Sequence, residues 1–320
     1  MKQPTENIRI LESHQILQNL NERANPFWSQ YYALYSSWFG GIIKDPGPWL
    51  MVPMDDHLVH RGDGVFEALK SRNRKVYLLD AHLQRLAVSA ASLGIALPNS
   101  LEKMEQIILQ TLKAADQPET LIRVFLSRGP GGFTTNPYDS LGAQLYIVIT
   151  RLQPPAVEKY ERGVRTGRSQ FPVKEGWMAQ VKSCNYLLNV LMKKESVDRK
   201  LDFTVSFDAD GFLAESSTEN MIIVDAQGIL AHPPLERILK GTTMMRVFEL
   251  AAKAGIKTAV RKISEKDIFS AKEVLMTGTT LDVLPVAEYE GRAIADGKVG
   301  PLARQLKQLV EEDMTNGREF

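Results

Sequence analysis

The segment at residues 151–156, RLQPPA, constrains the fold of this chain more than any other stretch. Pro154 and Pro155 lack backbone N–H donors and have a fixed φ, so neither suits the interior of a helix or of a central strand. The 320 residues are enough for two domains of ordinary size, one on each side of this break. We therefore predict an N-terminal helical arm at 1–34, a small domain at 35–150, an interdomain linker at 151–157 and a large domain at 158–320.

Hydrophobic periodicity switches between the strand period and the helix period in both halves of the chain. In the first half we expect a helix at 5–24, strands at 37–43, 49–53, 64–70, 75–79, 121–127 and 144–149, and helices at 81–93, capped by Asp80, and 101–115. In the second half we expect strands at 163–166, 203–207, 212–215, 221–224, 258–260 and 273–277, and helices at 186–192, capped by Asn185, 242–254 and 301–313. Because strands and helices do not alternate strictly, the predicted class is α+β for both domains.

Composition and charge exclude several classes of function. An apolar content of 44% and a charged content of 24% are typical of a globular protein, and a formal net charge of +1 argues against binding to nucleic acid or to an acidic membrane. No apolar run approaches the roughly 18 residues of a membrane span, and the histidines show no metal-binding spacing. Cys184 is the sole cysteine, so an internal disulfide is impossible. We expect a cytoplasmic protein without a metal site.

Lys182 is the first candidate for chemistry. It precedes the amphipathic run at 186–192, so its backbone would be anchored at a helix entrance while its long side chain points elsewhere. This placement suits an amine that forms a Schiff base with an aldehyde cofactor, although most lysines are simply solvated.

A phosphate site is the second candidate. A guanidinium such as that of Arg85 can bind a phosphate with two parallel N–H groups. The GTT segment at 241–243 opens a predicted helix and the GTT segment at 278–280 follows a predicted strand, and free amides and hydroxyls at both places could hold an anion. Ordinary capping and turn chemistry would use the same residues.

Glu215, at a strand end, could pair with a protonated ring nitrogen or lie in a polar surface turn.

Six segments, in this order, resemble those of the class IV, or fold-type IV, pyridoxal-phosphate aminotransferases. They are HRGDGVFE at 60–67, DAHLQRL at 80–86, VKSCN at 181–185, ESSTEN at 215–220, GTT at 241–243 and MTGTT at 276–280. The resemblance spans about residues 35–315. The segments YSSWFGG at 35–41 and MDDHLVHRG at 54–62 are most similar to D-amino-acid transaminase and aminodeoxychorismate lyase types.

The resemblance implies a cofactor, pyridoxal 5'-phosphate, and roles for named residues. Lys182 would be the Schiff-base lysine and the proton carrier, and Glu215 the partner of the ring nitrogen. The implied cofactor-binding residues are Arg85, Lys182, Glu215, Ser216, Ser217, Thr242, Thr243, Gly278 and Thr279, and the implied substrate-binding residues are Arg61, Phe66, Arg123, Phe125 and Thr280. The family forms homodimers with the active site between the domains.

The motifs point in different directions for the substrate. Lys182, Ser183 and Asn185 have the Lys-Ser-x-Asn form of D-amino-acid transaminases, whereas Arg123 matches a strand arginine of the branched-chain enzymes. Ala68 departs from the threonine common in the lyases. We predict an enzyme that exchanges an amino group between an amino acid, of the D or the branched-chain type, and a 2-oxo acid. The alternatives are a lyase that releases pyruvate and 4-aminobenzoate from aminodeoxychorismate, and a non-catalytic protein that binds phosphate ligands.

Overall fold

A computed structural model describes residues 8–320 of the chain. The helices are α1 Ser13–Glu22, α2 His57–Arg61, α3 Leu79–Ser92, α4 Leu101–Ala115, α5 Val157–Arg162, α6 Leu187–Asp198, α7 Thr242–Lys253, α8 Glu265–Ser270 and α9 Pro301–Asp313. The strands are β1 Tyr31–Ser36, β2 Gly41–Lys44, β3 Gly64–Arg72, β4 Lys75–Val76, β5 Thr120–Ser127, β6 Gln144–Arg151, β7 Val164–Arg168, β8 Phe203–Phe207, β9 Leu213–Ser216, β10 Asn220–Val224, β11 Leu230–His232, β12 Thr258–Val260, β13 Glu273–Gly278, β14 Asp282–Tyr289, β15 Arg292–Ala293 and β16 Arg318–Glu319. Among these residues, no helix combines the length and the apolar character that crossing a bilayer requires.

The first sheet has the strand order β16-β4-β3-β5-β6-β1-β2 and is covered by α3 and α4. Helix α4 presents Met104, Ile108 and Leu112 to the sheet at helical spacing, and all three are fully buried. The Ser100 side chain caps this helix by accepting the N–H of Lys103. Burial of this apolar stripe fixes α4 against the sheet and so fixes the opposite face of β3 and β5.

The second sheet has the order β12-β11-β10-β13-β14-β7-β8-β9, and β15 pairs with β14. Strand β9 also pairs with β10, through Glu215 and Asn220, so six of these strands close into a ring. Apolar residues from β7, β8, β9, β10, β13 and β14 form one core cluster, and α7 and α9 cover a second cluster on another face of the sheet. Both faces of β10 and β13 are therefore buried, which explains their unbroken apolar runs.

The two halves are joined at places far apart in the sequence. Strand β16 adds to the edge of the first sheet by pairing with β4. Tyr77, just after β4, donates its hydroxyl to Asp313 Oδ2 in α9 at 2.7 Å. The predicted domain boundaries stay predictions, while the α+β class is confirmed.

Several predicted helices and strands have different bounds in the structure, or are a different type of element. Of the predicted helix 5–24, residues 13–22 are helical, residues 8–12 are not, and residues 5–7 lie outside the described part. The stretch 49–53 is not a strand, because the neighbouring prolines remove donors and residues 47–49 form a 3-10 turn instead. Residues 37–40 form the turn between β1 and β2, and β4 ends at Val76 because α3 already begins at Leu79.

Both predicted helix caps also differ. Leu78, in the left-handed conformation with φ 54°, precedes α3, so Asp80 lies in the first turn, where its charge complements the helix dipole. Helix α6 starts at Leu187 rather than at residue 186, and Asn185 does not cap it. The reason is that residues 182–184 are held against β3, which leaves residues 185–186 to turn the chain into the helix.

Candidate active site

Most of the predicted site residues converge on a cavity of about 290 Å³ between the two sheets. Strands β3 and β5 contribute one wall, and the start of α7 with the turn between β13 and β14 contributes another. The predicted site residues that line this cavity are Phe66, Arg85, Arg123, Lys182, Thr242, Thr243, Gly278, Thr279 and Thr280.

Lys182 is fixed by its backbone to the first sheet and to α3. Phe66 N–H donates to the Lys182 carbonyl at 3.0 Å, and Cys184 N–H donates to the Gly64 carbonyl at 2.8 Å. The Lys182 N–H donates to Ser89 Oγ at 3.2 Å. Although Lys182 follows the linker in sequence, its position is therefore set by β3 and α3.

The Lys182 amine is enclosed by aromatic rings. Its Nζ donates to the Tyr186 hydroxyl at 3.2 Å and lies 4.5 Å from the centre of the Phe66 ring, and the residue is only 8% exposed. Burial, together with the nearby Arg85 cation, lowers the pKa of Lys182 from 10.5 to about 8, despite carboxylates such as Glu215 that act in the opposite direction. A larger fraction of this amine is thus neutral, and nucleophilic, than that of a solvated lysine.

Arg85 is held by a buried carboxylate. Its Nε and Nη2 donate to the two oxygens of Glu67, each at 2.7 Å, and its Nη1 donates to the Lys240 carbonyl at 2.9 Å. The Arg85 guanidinium lowers the pKa of Glu67 to about 2, although complete burial opposes this shift. The paired N–H groups that the sequence analysis assigned to a phosphate therefore bind Glu67, and the remaining N–H groups of Arg85 are left for another anion.

His82 extends this network to the second half of the chain. Its Nδ1 lies 2.6 Å from Glu67 Oε2 and its Nε2 lies 3.1 Å from Thr242 Oγ1. Burial lowers the pKa of His82, so the ring is neutral, and because the Glu67 carboxylate can only accept, the proton is assigned to Nδ1. Nε2 then accepts from the Thr242 hydroxyl, which commits that hydroxyl proton to His82.

Helix α7 begins beside the cavity without a side-chain cap. The N–H groups of its first turn have no partner within the helix, and Thr242 and Thr243, both buried, line the cavity there. A Cβ on Gly241 would lie 2.0 Å from Asn220 Oδ1, so any other residue would displace the Asn220 amide, whose Nδ2 donates to the Leu239 carbonyl at 3.1 Å. Free amides at the positive end of a helix dipole form an anion-binding site.

The turn between β13 and β14 faces the start of α7 across the cavity. Gly278 pairs with Asp282, and residues 279–281 form the three-residue loop between them. Thr279 and Thr280 are half-buried, and Tyr160 donates its hydroxyl to the Leu281 carbonyl at 3.0 Å. The loop is thus tied to its own domain while its threonines line the cavity.

Glu215 lies beside the cavity rather than in its lining. One of its oxygens accepts the N–H of Leu239, a lining residue, at 3.2 Å. Burial raises the pKa of Glu215, whereas the Leu239 N–H and the nearby Lys182 and Lys174 lower it. A further cationic partner would stabilise the ionised form of this carboxyl group.

The two serines after Glu215 interact within the second half of the chain. Ser216 donates its hydroxyl to the Thr204 carbonyl at 2.8 Å, and the Ser217 carbonyl accepts from Asn189 Nδ2 at 2.6 Å. Neither serine lines the cavity in the described part of the chain, so their predicted contact with a cofactor stays a prediction.

Of the predicted substrate-binding residues, Arg123 is the charged one that lines the cavity. It is exposed on β5 and lines the cavity, and within residues 8–320 its guanidinium has no carboxylate at ion-pair distance. Phe125 stacks on Phe66 with ring centres 6.0 Å apart and lies outside the lining. Arg61 also lies outside it and donates to the Phe133 carbonyl at 3.0 Å.

Further residues that were not predicted complete the site. Glu67 and His82 belong to the 60–67 and 80–86 segments, but their burial and pairing are not visible from sequence. Tyr186 directly precedes α6, and its spacing from Lys182 carried no signal, because the intervening residues are not helical. Lys174 had no signal; its Nζ donates to Ser183 Oγ at 3.4 Å and lies 4.8 Å from the centre of the Tyr186 ring, and burial lowers its pKa.

Comparisons with known proteins agree with the fold and with the motifs. A family model described as amino-transferase class IV matches residues 64–289. The chloroplastic D-amino-acid transaminase of Arabidopsis thaliana is 33% identical over 317 residues, which cover 97% of this chain and 83% of that protein. A branched-chain-amino-acid aminotransferase of Pseudomonas aeruginosa is 25% identical over 272 residues, which cover 82% of this chain and 87% of that protein. The crystal structure of the Escherichia coli branched-chain amino acid aminotransferase superposes with a TM-score of 0.84 at 22% identity, over 91% of this chain and 97% of that one.

Proposed function

The chain belongs to the class IV aminotransferases, and from that premise we propose that it acts on D-amino acids at the cavity around Lys182. Members of this family depend on pyridoxal 5'-phosphate, so the enzyme exchanges an amino group between an amino acid and a 2-oxo acid. The observation that carries the assignment of the site is the convergence on one cavity of a buried amine, Lys182, two Gly-Thr-Thr segments, and Arg123, which has no carboxylate partner within residues 8–320.

The cofactor phosphate would lie between Arg85, the first turn of α7 and the Gly278–Thr279 turn. The uncapped amides at Thr242 and Thr243 and the outer N–H groups of Arg85 supply donors and positive charge. Because the Thr242 hydroxyl proton is committed to His82, this threonine would bind an anion through its amide, whereas Thr243 would use both its amide and its hydroxyl.

The cofactor ring would lie along the aromatic wall of Phe66 and Tyr186, with its nitrogen toward Glu215. A protonated ring nitrogen would supply the cationic partner that the buried Glu215 carboxyl group favours. When bound, the cofactor supplies an electron sink for the bonds at the substrate α-carbon.

Lys182 would carry the proton at the α-carbon. A base must be positioned within reach and have a pKa near the working pH, and a pKa of about 8 meets the second requirement. Tyr186 holds Nζ in place, and the Phe66 ring excludes water from one side of it.

Arg123 would bind a carboxylate of the substrate. A guanidinium without a partner in the described residues can take a carboxylate with two parallel hydrogen bonds. Phe66 and Thr280 line the same cavity and would contact the rest of a small amino acid.

The D-amino-acid reading rests on the Lys-Ser-x-Asn form at Lys182 and on a relative that covers nearly the whole chain. A second candidate is transamination of branched-chain amino acids, which the position of Arg123 on its strand favours. A panel of D- and L-amino acids with a 2-oxo acid acceptor separates the two. Turnover restricted to L-branched-chain substrates would reject the D-amino-acid proposal.

Two further measurements test the class of reaction and the site. Purified protein should show the visible absorbance of bound cofactor, and Lys182→Ala should lose that band and the activity. Release of pyruvate from aminodeoxychorismate without any amino acceptor would instead identify a lyase. A colourless protein that takes up no pyridoxal 5'-phosphate would favour the non-catalytic phosphate-binding alternative.

The enzyme would act as a homodimer. Exposed apolar side chains cluster at one end of the first sheet, with Trp38 and Phe39 on the β1–β2 turn and Tyr138 and Leu141 on the β5–β6 loop. A hydrogen bond of 2.7 Å between Ser37 and Gln144 joins these two segments. Such a patch marks an interaction surface in soluble proteins. Light scattering should give the mass of two chains, and Leu141→Glu should shift it towards one.

The location would be cytoplasmic. The one cysteine, Cys184, is half-buried and cannot form an internal disulfide, which fits a reducing compartment. Cell fractionation with a tagged chain tests this, and recovery with an organelle would reject it.

A further inference from the structure

The β13–β14 turn ends in a buried carboxylate. Asp282 has φ 59°, in the left-handed region, at the position that closes the three-residue loop. Aspartate, like glycine and asparagine, adopts a positive φ in turns, so the conformation alone needs no further explanation. The burial of its carboxylate does, because a buried charge requires a partner.

The partner of that carboxylate belongs to the first sheet. Lys70 Nζ donates to Asp282 Oδ1, and the two residues are 2% and 5% exposed. Burial lowers the pKa of Lys70, whereas the Asp282 charge raises it. Lys70 follows Ala68 and Phe66 at strand spacing on β3, so it extends the face of the sheet that lines the cavity.

A buried ion pair is weak evidence for stability, because removing two charges from water costs about as much as their attraction returns. Its best attested role is to fix one arrangement of two elements, since every other arrangement leaves a buried charge without a partner. Here the two elements are the strand that carries Phe66 and the turn that carries Thr279. Other charged groups near Lys70, such as Arg72 and Glu311, do not span these elements in the same way.

We propose that Lys70 and Asp282 are positioning residues, whose ion pair sets the distance of the β13–β14 turn from the first sheet and thereby the affinity for the phosphate of the cofactor. This inference rests on the proposed function, in which that turn and the start of α7 hold the phosphate. The pair acts on the cofactor through Gly278 and Thr279, not by touching it.

The test compares the binding of pyridoxamine 5'-phosphate and of pyridoxamine to the cofactor-free full chain, measured by calorimetry or fluorescence. The double variant Lys70→Met/Asp282→Asn removes both charges, keeps a residue that tolerates the positive φ, and leaves no buried charge. We expect its affinity for pyridoxamine 5'-phosphate to fall about tenfold, as for the loss of one hydrogen bond to a charged group, and its affinity for pyridoxamine to change less than about twofold. If this variant does not fold, Asp282→Asn alone serves, because Lys70 can lose its proton when unpaired.

Two controls keep the outcomes distinct. Tyr77→Phe removes another buried contact between the halves, one that ends on Asp313 in α9 rather than on the turn, and should leave the ratio of the two affinities unchanged. Thr243→Val should reduce the ratio if the proposed phosphate site is correct, and an unchanged ratio in that variant would reject the site itself. The positioning role is overturned if Thr243→Val changes the ratio and the Lys70/Asp282 variants do not, or if those variants weaken both ligands equally.

Discussion

Replacement of Glu67 by glutamine tests the buried network that holds Arg85. Glu67 is 1% exposed and accepts three hydrogen bonds, at 2.7, 2.7 and 2.6 Å, from Arg85 Nε, Arg85 Nη2 and His82 Nδ1. Glutamine keeps the shape but removes the charge, and its amide group would face donors at one of the two oxygen positions. The Arg85 guanidinium would then be buried with an incomplete partner.

The loss of the Glu67 charge should cost about the same free energy of unfolding whether it is derived from the pKa or from the ion pair. A carboxyl group whose pKa falls from 4.5 to about 2 on folding contributes about 3 kcal/mol of stability at neutral pH. Breaking a buried ion pair by removing one partner costs roughly 3–5 kcal/mol. We therefore expect Glu67→Gln to lower the free energy of unfolding by about 3 kcal/mol at pH 7, and to weaken cofactor binding through the released Arg85.

The pH dependence separates a lost charge from a packing defect. Because folding lowers the pKa of Glu67, its contribution is complete above pH 4.5 and is lost as the pH falls towards 2. Urea unfolding of both proteins from pH 7 to pH 3 should show their difference shrinking below pH 4.5. Glu249→Gln, which removes an exposed partner of Arg246, is the matched control and should change stability by less than about 1 kcal/mol. A Glu67→Gln variant as stable as the unaltered protein at pH 7, or a difference that is constant with pH, would refute the reasoning.

Three further outcomes are expected. Labelling of Lys182 in the cofactor-free protein by an amine reagent, followed by mass spectrometry, should titrate with a pKa of about 8, and a midpoint near 10.5 would contradict the dry pocket. Arg123→Met should raise KM for the amino acid by about tenfold or more with less effect on kcat and none on cofactor affinity, as steady-state kinetics would show; an unchanged KM would remove Arg123 from the substrate site. Gly241→Ala should lower both the melting temperature and cofactor affinity, because its Cβ would lie 2.0 Å from Asn220 Oδ1, at a cost of roughly 1–3 kcal/mol. Gly41→Ala, whose Cβ would meet nothing within 4 Å, is its control and should melt like the unaltered protein.

The parts of the fold that the sequence predicts well are those with long periodic patterns. Helices α4 and α9 have the predicted bounds, because many apolar residues repeat on one face and a cap or a proline marks the start. Strand β14 was not predicted, although it is the centre of the second sheet. Within the order of the sheet it lies between β13, adjacent in sequence, and β7, more than 100 residues earlier, and a period of two does not reveal pairing at that distance.

For the site, local motifs identified residues but not their partners. Lys182 and Arg85 were predicted from their segments, and both line the cavity. That Glu67 occupies the paired N–H groups of Arg85 depends on burial between a strand and a helix, which the motif does not encode. The ion pair of Lys70 with Asp282 joins residues more than 200 positions apart, and only the packing of the two sheets brings them together.

The attachment of the Lys182 backbone to β3 and α3 divides the site in an unexpected way. One group of site residues is carried by the first sheet and its helix α3: the Lys182 amine, Arg85, Phe66 and Arg123. Thr243 and Thr279 are carried by the second sheet and its helix α7. A molecule that binds Arg85 on one side and these threonines on the other would therefore bridge the two halves of the chain. Its removal would take away one of several connections between the sheets, which also include the pairing of β16 with β4 and the Tyr77–Asp313 hydrogen bond. The position of the reactive amine relative to Arg123 would not change, so the cofactor-free enzyme would keep these groups aligned and have lower stability.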